Sequence, residues 1–512
     1  MIRRTLLQRG PLLVAVATAL VVATTTLLRY LTFHSPAYDL GFFEQVTEQT
    51  AHGHLFVSAF LPYSFLGEHW EPLLGVFAQF DRLVPTPIWL LLIEAVAVGA
   101  APLAAARLAA AWLPLSKAAP LVAALAMACS PLLTTGAAFD YHTEALTPAV
   151  ALFALDAAAR GRFLRFVLLL LLLAAIKEDA LLVVAGVGWI AWRADGRRIG
   201  LAAAGAGVAG FLTLVIAVMP FFRHGLPTDL LKTYGWLAPA SRSVAHLLVT
   251  AISHPGTVMS HLLSHDALYG WAIALLPLAL LPLLSGWALL GALAVLLVPL
   301  MTNVPAEMSL HYQYGLEAAP LLLACALLGW RRLASDGAAR QRRLGALLAA
   351  TSVAAYAVAA PLPGALGFDA STVSGVGRHA DVERLLGLIP PNAPVAAQTG
   401  LVAHLGNRAS LWEFPSGLGV PYVVLDAEGP ISTQSRHGFA RAVAELPSAG
   451  YAVMAAAAGV TLWARCSVAP VGSCAHRSAA GPIDYPGLAH DPIGLGIRKG
   501  WTYTFGYPGE SG

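Results

Sequence analysis

The chain reads as a polytopic α-helical membrane protein, with about eleven spans and a small α/β domain at its C-terminal end. Three observations predict this. Of its 512 residues 57% are apolar and only 12% charged, against about 25% charged in soluble domains, and the mean hydropathy is +0.68. Apolar runs near the length a helix needs to cross hydrocarbon recur up to Pro361. Beyond that residue the composition changes, and short strand-like runs take their place. A net charge of +3 on scattered Lys and Arg excludes an electrostatic nucleic-acid footprint. Four cysteines exclude a disulfide framework and do not have metal-site spacing.

The first element follows Arg3, Arg4 and Arg9. Its apolar run, Pro11 to Leu28, is longer than the roughly 7–15 residues of a signal-peptide core, so a retained first span is expected. Eleven spans are expected in all, near 11–30, 86–106, 118–135, 145–159, 163–176, 180–192, 199–221, 269–284, 287–301, 314–330 and 344–361. Lys and Arg in the connections set the orientation. With the N-terminus inside, sixteen cations up to residue 361 fall in cytoplasmic segments. The other side receives Arg29, Arg82, Arg223, Lys232, Arg242 and Lys177, and all 16 histidines lie outside or at outer span ends. An odd span count then puts the C-terminal domain outside. The same rule decides region 163–192. One helix from Phe166 to Trp192 would put the basic clusters at 160–165 and 193–198 on opposite faces, whereas two short spans turning at Lys177–Asp179 keep both inside.

The transmembrane domain is expected over 1–361, with large outer loops at 31–85 and 222–268. The first loop holds Phe42, Phe43, Phe56, Phe60, Tyr63, Phe65 and Trp70, an aromatic content suited to the membrane interface, and 72–83 suits an interfacial or re-entrant helix. The outer domain is expected over 362–512. In it strands at 394–398 and 421–426 alternate with a helix at 435–446. A strand pair at 451–455 and 460–464 follows, then a Gly/Pro-rich irregular tail. Cys466 and Cys474 suit a small disulfide, while Cys129 and Cys325 lie in spans as packing residues.

Ionisable groups at membrane depth cost about 2.5–3.5 kcal/mol each on insertion scales, so clusters of them ask for a reason. Four stand at outer span ends. SPAYDLGFFEQ holds Asp39, either an N-cap or a reactive acid, and Glu44, which shares a helix face with Glu48. GEHWEP holds Glu68, His69 and Glu71, an acid/base or metal-type group or a solvated loop. FDYHTEA holds Asp140, His142 and Glu144, which point one way if extended; Glu144 is a dipole-favoured first-turn acid if Thr143 caps the next helix. IKEDA places Lys177, Glu178 and Asp179 amid unbroken apolar sequence, a structural ion pair or a functional site. His311 and Tyr312 stand at an outer helix start, where aromatic residues also belong. His261 and His265 have the i,i+4 spacing of two zinc ligands on one helix, without a third in register. P-loop, GxSxG and CxxC motifs are absent, and no GxGxxG follows a strand-like run to make a dinucleotide-binding fingerprint.

The ordered set YDLGFFEQ, GEHWEP, FDYHTEAL and KEDA, followed by LIPPNAPVAAQTGLVAHLGNR and PYVVLD, resembles the domain-of-unknown-function 2079 family of bacterial predicted membrane proteins over nearly the whole chain. That layout is similar in turn to the GT-C superfamily of membrane glycosyltransferases. The resemblance implies a sugar taken from a polyprenyl-phosphate donor at the outer face of the bacterial cytoplasmic membrane. The implied partners are membrane lipid, that donor and a cell-envelope acceptor. It also implies an acidic base or metal ligand in the first outer loop, where Asp39 stands. The sequence has no DxD or ExD at that point, a departure that leaves a divalent metal cofactor open. On this reading Asp39 is the base, with Glu44 or Glu68 in support. Lys177 faces the phosphate, His69, Asp140 and His142 position sugar hydroxyls or a divalent ion, and Glu144, Glu178, Asp179, His311 and Tyr312 complete the substrate site. The alternative is a transporter or flippase of a lipid-linked or polar substrate, since broken helices with charges near a turn also bind transported substrates. The lack of an internal repeat and the large outer loops weigh against it. A non-catalytic envelope scaffold would leave the clustered carboxylates and histidines without a purpose.

Overall fold

The computed structural model describes residues 2–81, 83–226, 233–237, 244–333, 337–431 and 436–468. The elements used below are, in chain order, α1 (Ile2–Leu31), α2 (Phe42–Ala51), α3 (Phe65–Glu68), α4 (Thr86–Trp112), α5 (Ala119–Ala128) and α6 (Pro131–Ala137). They continue with α7 (Thr147–Ala159), α8 (Phe163–Ala174), α9 (Ala180–Asp195), α10 (Arg198–Thr213), α11 (His265–Leu275), α12 (Leu289–Leu300), α13 (Ala318–Leu333) and α14 (Ala338–Ala359). The C-terminal elements are α15 (His379–Leu386), β1 (Val395–Ala397), β2 (Leu411–Glu413), β3 (Tyr422–Asp426), α16 (Arg436–Glu445), β4 (Tyr451–Ala457) and β5 (Val460–Arg465).

The chain forms two compact units. One comprises Met1–Ala23, Tyr63–Leu74 and Leu92–Gly367; the other comprises Thr24–Pro62, Gly75–Leu91 and Phe368–Gly512. The sequence divides the chain at 361/362, so the second unit gains two N-terminal stretches, which take in most of the loop expected at 31–85 and the adjoining ends of the spans expected at 11–30 and 86–106. Apolar side chains explain the gain. Phe33 and Ala37 share a buried core with Val395, Leu401 and Val402, and the Ala37 N–H donates to Thr399 Oγ1 at 3.0 Å. Exposing that apolar area instead would cost about 25 cal/mol per Å².

In the first unit, apolar runs make helices because a backbone without water must satisfy its own N–H and C=O groups. Every expected span carries helix, but among the described residues only four helices are individually long and apolar enough to cross a membrane: Arg9–Leu31, Thr86–Trp112, Arg198–Phe222 and Leu281–Leu300. A fifth arises if α5 and α6, bent by 46°, form one broken span. The break falls at Ser130, because a residue before proline is pushed out of the α region, and Ser130 is extended at ψ 123°. The run 269–284 is not one helix: α11 stops at Leu275, and Ala279 and Leu280 adopt positive φ of 53° and 57°. Region 163–192 does divide, into α8 and α9, with the break across Ala175–Asp179. Helix α9 packs on α10 through glycines. A Cβ on Gly188 would meet the Gly200 carbonyl oxygen at 2.5 Å, and one on Gly200 the Gly188 oxygen at 2.4 Å. Small residues allow this close approach of membrane helices.

The second unit is built on a five-stranded sheet of order β2-β1-β3-β5-β4, with β1 parallel to β2 and β3 and the other pairs antiparallel. Side chains alternate across a strand, and the two cores follow that alternation. Val395, Ala397, Tyr422, Val424, Val460, Leu462 and Ala464 pack with Val382, Leu385 and Leu386 of α15 on one face. Ala396, Val423, Leu425 and Trp463 pack with Phe439 and Ala442 of α16 on the other. The expected strands and helix are all present, and β2 is added to them. Cys466 is disulfide-bonded, while Cys474 and the tail lie outside the described residues; Cys129 and Cys325 are free.

Two local expectations change. Among its described residues, segment 72–83 holds a short helix, Leu73–Phe77, and one further turn, Ala78–Phe80. His261 and His265 do not share a helix, because a break at Leu263–Ser264 separates Pro255–Leu262 from α11. His261 instead stacks on Trp236 at 3.7 Å and bonds the Thr302 carbonyl.

Candidate functional site

Within the first unit, three stretches distant in sequence bring ionisable side chains together: 68–71 after α3, 140–144 before α7, and 177–179 between α8 and α9. The charged triplet is what breaks the helix. Continuing α8 through it would bury three ionisable groups among apolar neighbours, whereas the turn lets each meet a partner. Lys177 Nζ donates to Glu144 Oε1, with Glu144 buried and the Lys177 side chain 13% exposed. Glu178 accepts from the backbone N–H of Trp70 at 2.8 Å, and its other oxygen meets His69 Nδ1 at 3.1 Å. Glu71, fully buried, accepts from the Thr143 hydroxyl at 2.6 Å. The Tyr141 hydroxyl lies 3.1 Å from that of Thr143, which joins Tyr141, Thr143 and Glu71 in one hydrogen-bonded chain.

Burial and neighbours split the acidities. Burial and then the Glu144 charge push the Glu71 carboxyl up to about 8. Burial works against ionisation of Glu144 too, but the Lys177 ammonium and His142 outweigh it and hold that carboxyl down to about 2. Burial, joined by Glu178, raises Asp179 to about 6. For His69 burial and Lys177 oppose the charged form, yet the Glu178 carboxylate prevails and raises the imidazole to about 9. Near neutrality the cluster therefore combines one proton-holding acid, Glu71, with fixed cations, a combination suited to proton transfer and to an anionic ligand.

Asp140 and His142 are buried beside this group, with His142 Nδ1 at 3.3 Å from the Asp140 carbonyl oxygen. Asp140 has φ 93°, left-handed backbone that costs a non-glycine residue about 1–3 kcal/mol and occurs often at functional sites. The expectation that Thr143 caps a helix changes, since His142 holds the cap position of a tight turn, Thr143–Leu146. The 309–315 segment joins the same neighbourhood. The Tyr312 ring lies 4.0 Å from that of Phe139, and His311 stacks on Tyr269 at 6.3 Å. Glu68 turns to another partner, the Tyr63 hydroxyl at 2.6 Å.

Asp39 and Glu44 belong to the second unit. Asp39 is not a helix cap: it lies inside a wide turn, Ala37–Gly41, at non-helical φ −114°, ψ −105°, and Gly41 precedes α2. Glu44 is buried, and burial together with the Glu48 and Asp81 charges raises its carboxyl well above the usual range. Its Oε2 lies where a Cβ on Gly406 would sit, 1.2 Å from that point.

Some participants escaped the sequence reading. Arg223 Nη1 donates to the Gly67 carbonyl at 2.8 Å, and a Cβ on Gly67 would meet Arg223 Cγ at 2.7 Å. Glu307, raised to about 7 mainly by burial, senses the charges of Lys177 and Asp179. Neither stands in a charged motif, so local sequence carried no signal for them.

The fold and site define a multi-pass membrane protein with a buried ionisable cluster at helix ends. The chain belongs to the family described as predicted membrane protein (DUF2079), whose model matches residues 29–462. No curated protein matches it in sequence. Among solved structures it is similar to ArnT from Cupriavidus metallidurans in the apo state, at 15% identity and TM-score 0.49, over 90% of this chain and 99% of that one. The same protein bound to undecaprenyl phosphate matches at 14% identity and TM-score 0.45, with coverage of 90% and 99%. The Archaeoglobus fulgidus oligosaccharyltransferase in the apo form matches at 13% identity and TM-score 0.44, over 91% of this chain and 75% of that one.

Proposed function

We propose that this protein is a GT-C-like glycosyltransferase. It transfers a sugar from a polyprenyl-phosphate donor to a cell-envelope acceptor at the outer face of the cytoplasmic membrane, with its N-terminus inside. The observation that carries the proposal is the pairing pattern around Lys177. A buried ammonium neutralised by Glu144, beside a Glu71 carboxyl that holds its proton near neutrality, can exchange its carboxylate partner for a phosphate while the displaced acid takes up a proton. His69 supplies a second cation, and Asp140 and His142 offer polar atoms for sugar hydroxyls. Asp39 is assigned as the base that deprotonates the acceptor, with Glu68 in support. Glu44, whose carboxyl is raised above its usual range by burial and by the Glu48 and Asp81 charges, is assigned a supporting role. Tyr312, His311, Glu178 and Asp179 complete the substrate site.

The test follows sugar transfer from a labelled polyprenyl-phosphate donor in membranes. Asp39→Asn keeps the size of the side chain and removes the base, so transfer should fall about 10²–10⁴-fold in protein that remains folded. Full transfer by that variant would remove Asp39 from the mechanism. Lys177→Met should weaken donor binding. Lack of transfer by wild type across a broad donor panel would overturn the enzyme reading in favour of transport.

A further inference from the structure

Metal-type ligands gather a second time, wholly within the second unit. His379 and Glu383 are four residues apart on α15 and share one helix face. His404 joins them from the segment after β1, and one donor atom of each residue lies within 4.8 Å of the others. All the hydrogen bonds around the two rings point to one arrangement. His379 Nδ1 is 3.2 Å from the Leu31 carbonyl oxygen, and His404 Nε2 is 3.1 Å from the Tyr30 carbonyl oxygen. A carbonyl can only accept, so both of these ring nitrogens carry protons. In neutral imidazoles the lone pairs are then left on His379 Nε2 and His404 Nδ1.

The second lone pair stands 2.6 Å from Glu383 Oε1. A carboxylate and a ring lone pair repel at that distance unless a proton or a metal ion lies with them. A proton would serve His404 and Glu383 alone and would give His379 no part in the group. A divalent ion uses all three donors. Ligating histidines commonly pass their other N–H to a backbone carbonyl, which fixes tautomer and ring plane, and here two consecutive carbonyls at the end of α1 do so. The rings are further held by stacking, His404 on Tyr30 at 4.2 Å and 2°, and His379 on Phe33 at 5.4 Å. The nearby cation Arg378 is already committed, through bonds of 2.8 and 2.6 Å to the two Asp426 carboxylate oxygens. Bonds of about 2.0–2.1 Å at tetrahedral angles require the donors to stand about 3.3 Å apart. The Glu383 side chain, 40% exposed, has room to move back by the difference.

We infer that His379, Glu383 and His404 form a binding site for one zinc ion, with a fourth position open to water. Nitrogen and carboxylate donors in a set of three suit zinc. The ion would tie the end of α1, through Tyr30 and Leu31, to α15 and the sheet of the second unit.

The experiment uses the full-length chain in detergent, purified without chelator, with metal content by mass spectrometry and the visible spectrum after cobalt exchange. One zinc per chain and tetrahedral cobalt bands are expected in wild type. His379→Gln and Glu383→Gln should each weaken zinc binding by at least about tenfold and lose the bands. These two half-buried positions carry the test because His404 is fully enclosed and its replacement would disturb packing. His52→Gln, which alters the separate Glu48, His52 and Asp81 group, should leave the zinc in place. Background zinc with no cobalt bands in folded wild type would overturn the site. So would unchanged zinc in His379→Gln, or loss of zinc in His52→Gln alone.

Discussion

Replacing Lys177 by Met removes the ammonium beside Glu144 and keeps an unbranched stem in the same space. Two routes give the expected loss of stability. Deleting one member of a buried ion pair typically costs about 3–5 kcal/mol. Alternatively, Glu144 is held at about 2 against an ordinary 4.5, and at 1.36 kcal/mol per pKa unit this difference is worth about 3 kcal/mol. The routes agree. The folded-state pKa is the lower one, so this contribution is present above pH 4.5 and is lost as pH falls toward 2. The variant has a further escape, since Glu144 can take up a proton once its partner is gone. Its deficit should therefore be largest at pH 7 and above, and should shrink as the pH is lowered toward 5. Thermal unfolding in detergent, followed by tryptophan fluorescence, should show a Tm drop of about 5–10 °C at pH 7. Lys177→Met combined with Glu144→Gln leaves no uncompensated charge and should recover most of that drop. An unchanged Tm in the single variant, or a double variant no better than the single one, would refute the buried pair as an energetic unit.

Two further perturbations probe the other groups. Gly406→Ala would place a Cβ 1.2 Å from Glu44 Oε2, so it should destabilise the second unit by about 1–3 kcal/mol, and adding Glu44→Ala should restore much of it; limited proteolysis of the four proteins would test this coupling, and additive losses would contradict it. The His69 imidazole is raised to about 9 in the folded protein, with the Glu178 carboxylate outweighing burial and Lys177, so its stabilising contribution is complete below pH 6.5 and disappears between 6.5 and 9. A Tm series across that range should fall in wild type and flatten in His69→Gln, and parallel curves would show that the His69–Glu178 pair has no linkage to folding.

The helices and most of the sheet were legible in the chain because both depend on local pattern. Apolar runs demand self-satisfied backbone in hydrocarbon, and Val395–Ala397, Tyr422–Asp426, Tyr451–Ala457 and Val460–Arg465 carry strand-like side chains. The break between α8 and α9 was legible too, from charge alone, since no Gly or Pro marks it. Strand β2 was not, because Leu411–Glu413 ends on a charged residue between Ser410 and Phe414–Pro415 and forms no apolar run of its own. The same holds for the extent of the second unit. Nothing local says that Phe33 and Ala37 belong with a sheet more than 350 residues further on.

The ionisable residues divide in the same way. The motifs were visible as GEHWEP, FDYHTEA and IKEDA, because charge in apolar sequence stands out. Their partners were not. In sequence Lys177 adjoins Glu178 and Asp179, yet the folded chain pairs it with Glu144 and gives Glu178 to His69 and the Trp70 N–H. Side chains one position apart at a helix start point in different directions. Which carboxylate reaches which cation is therefore set by the path of the chain through other helices, and only the tertiary structure decides it.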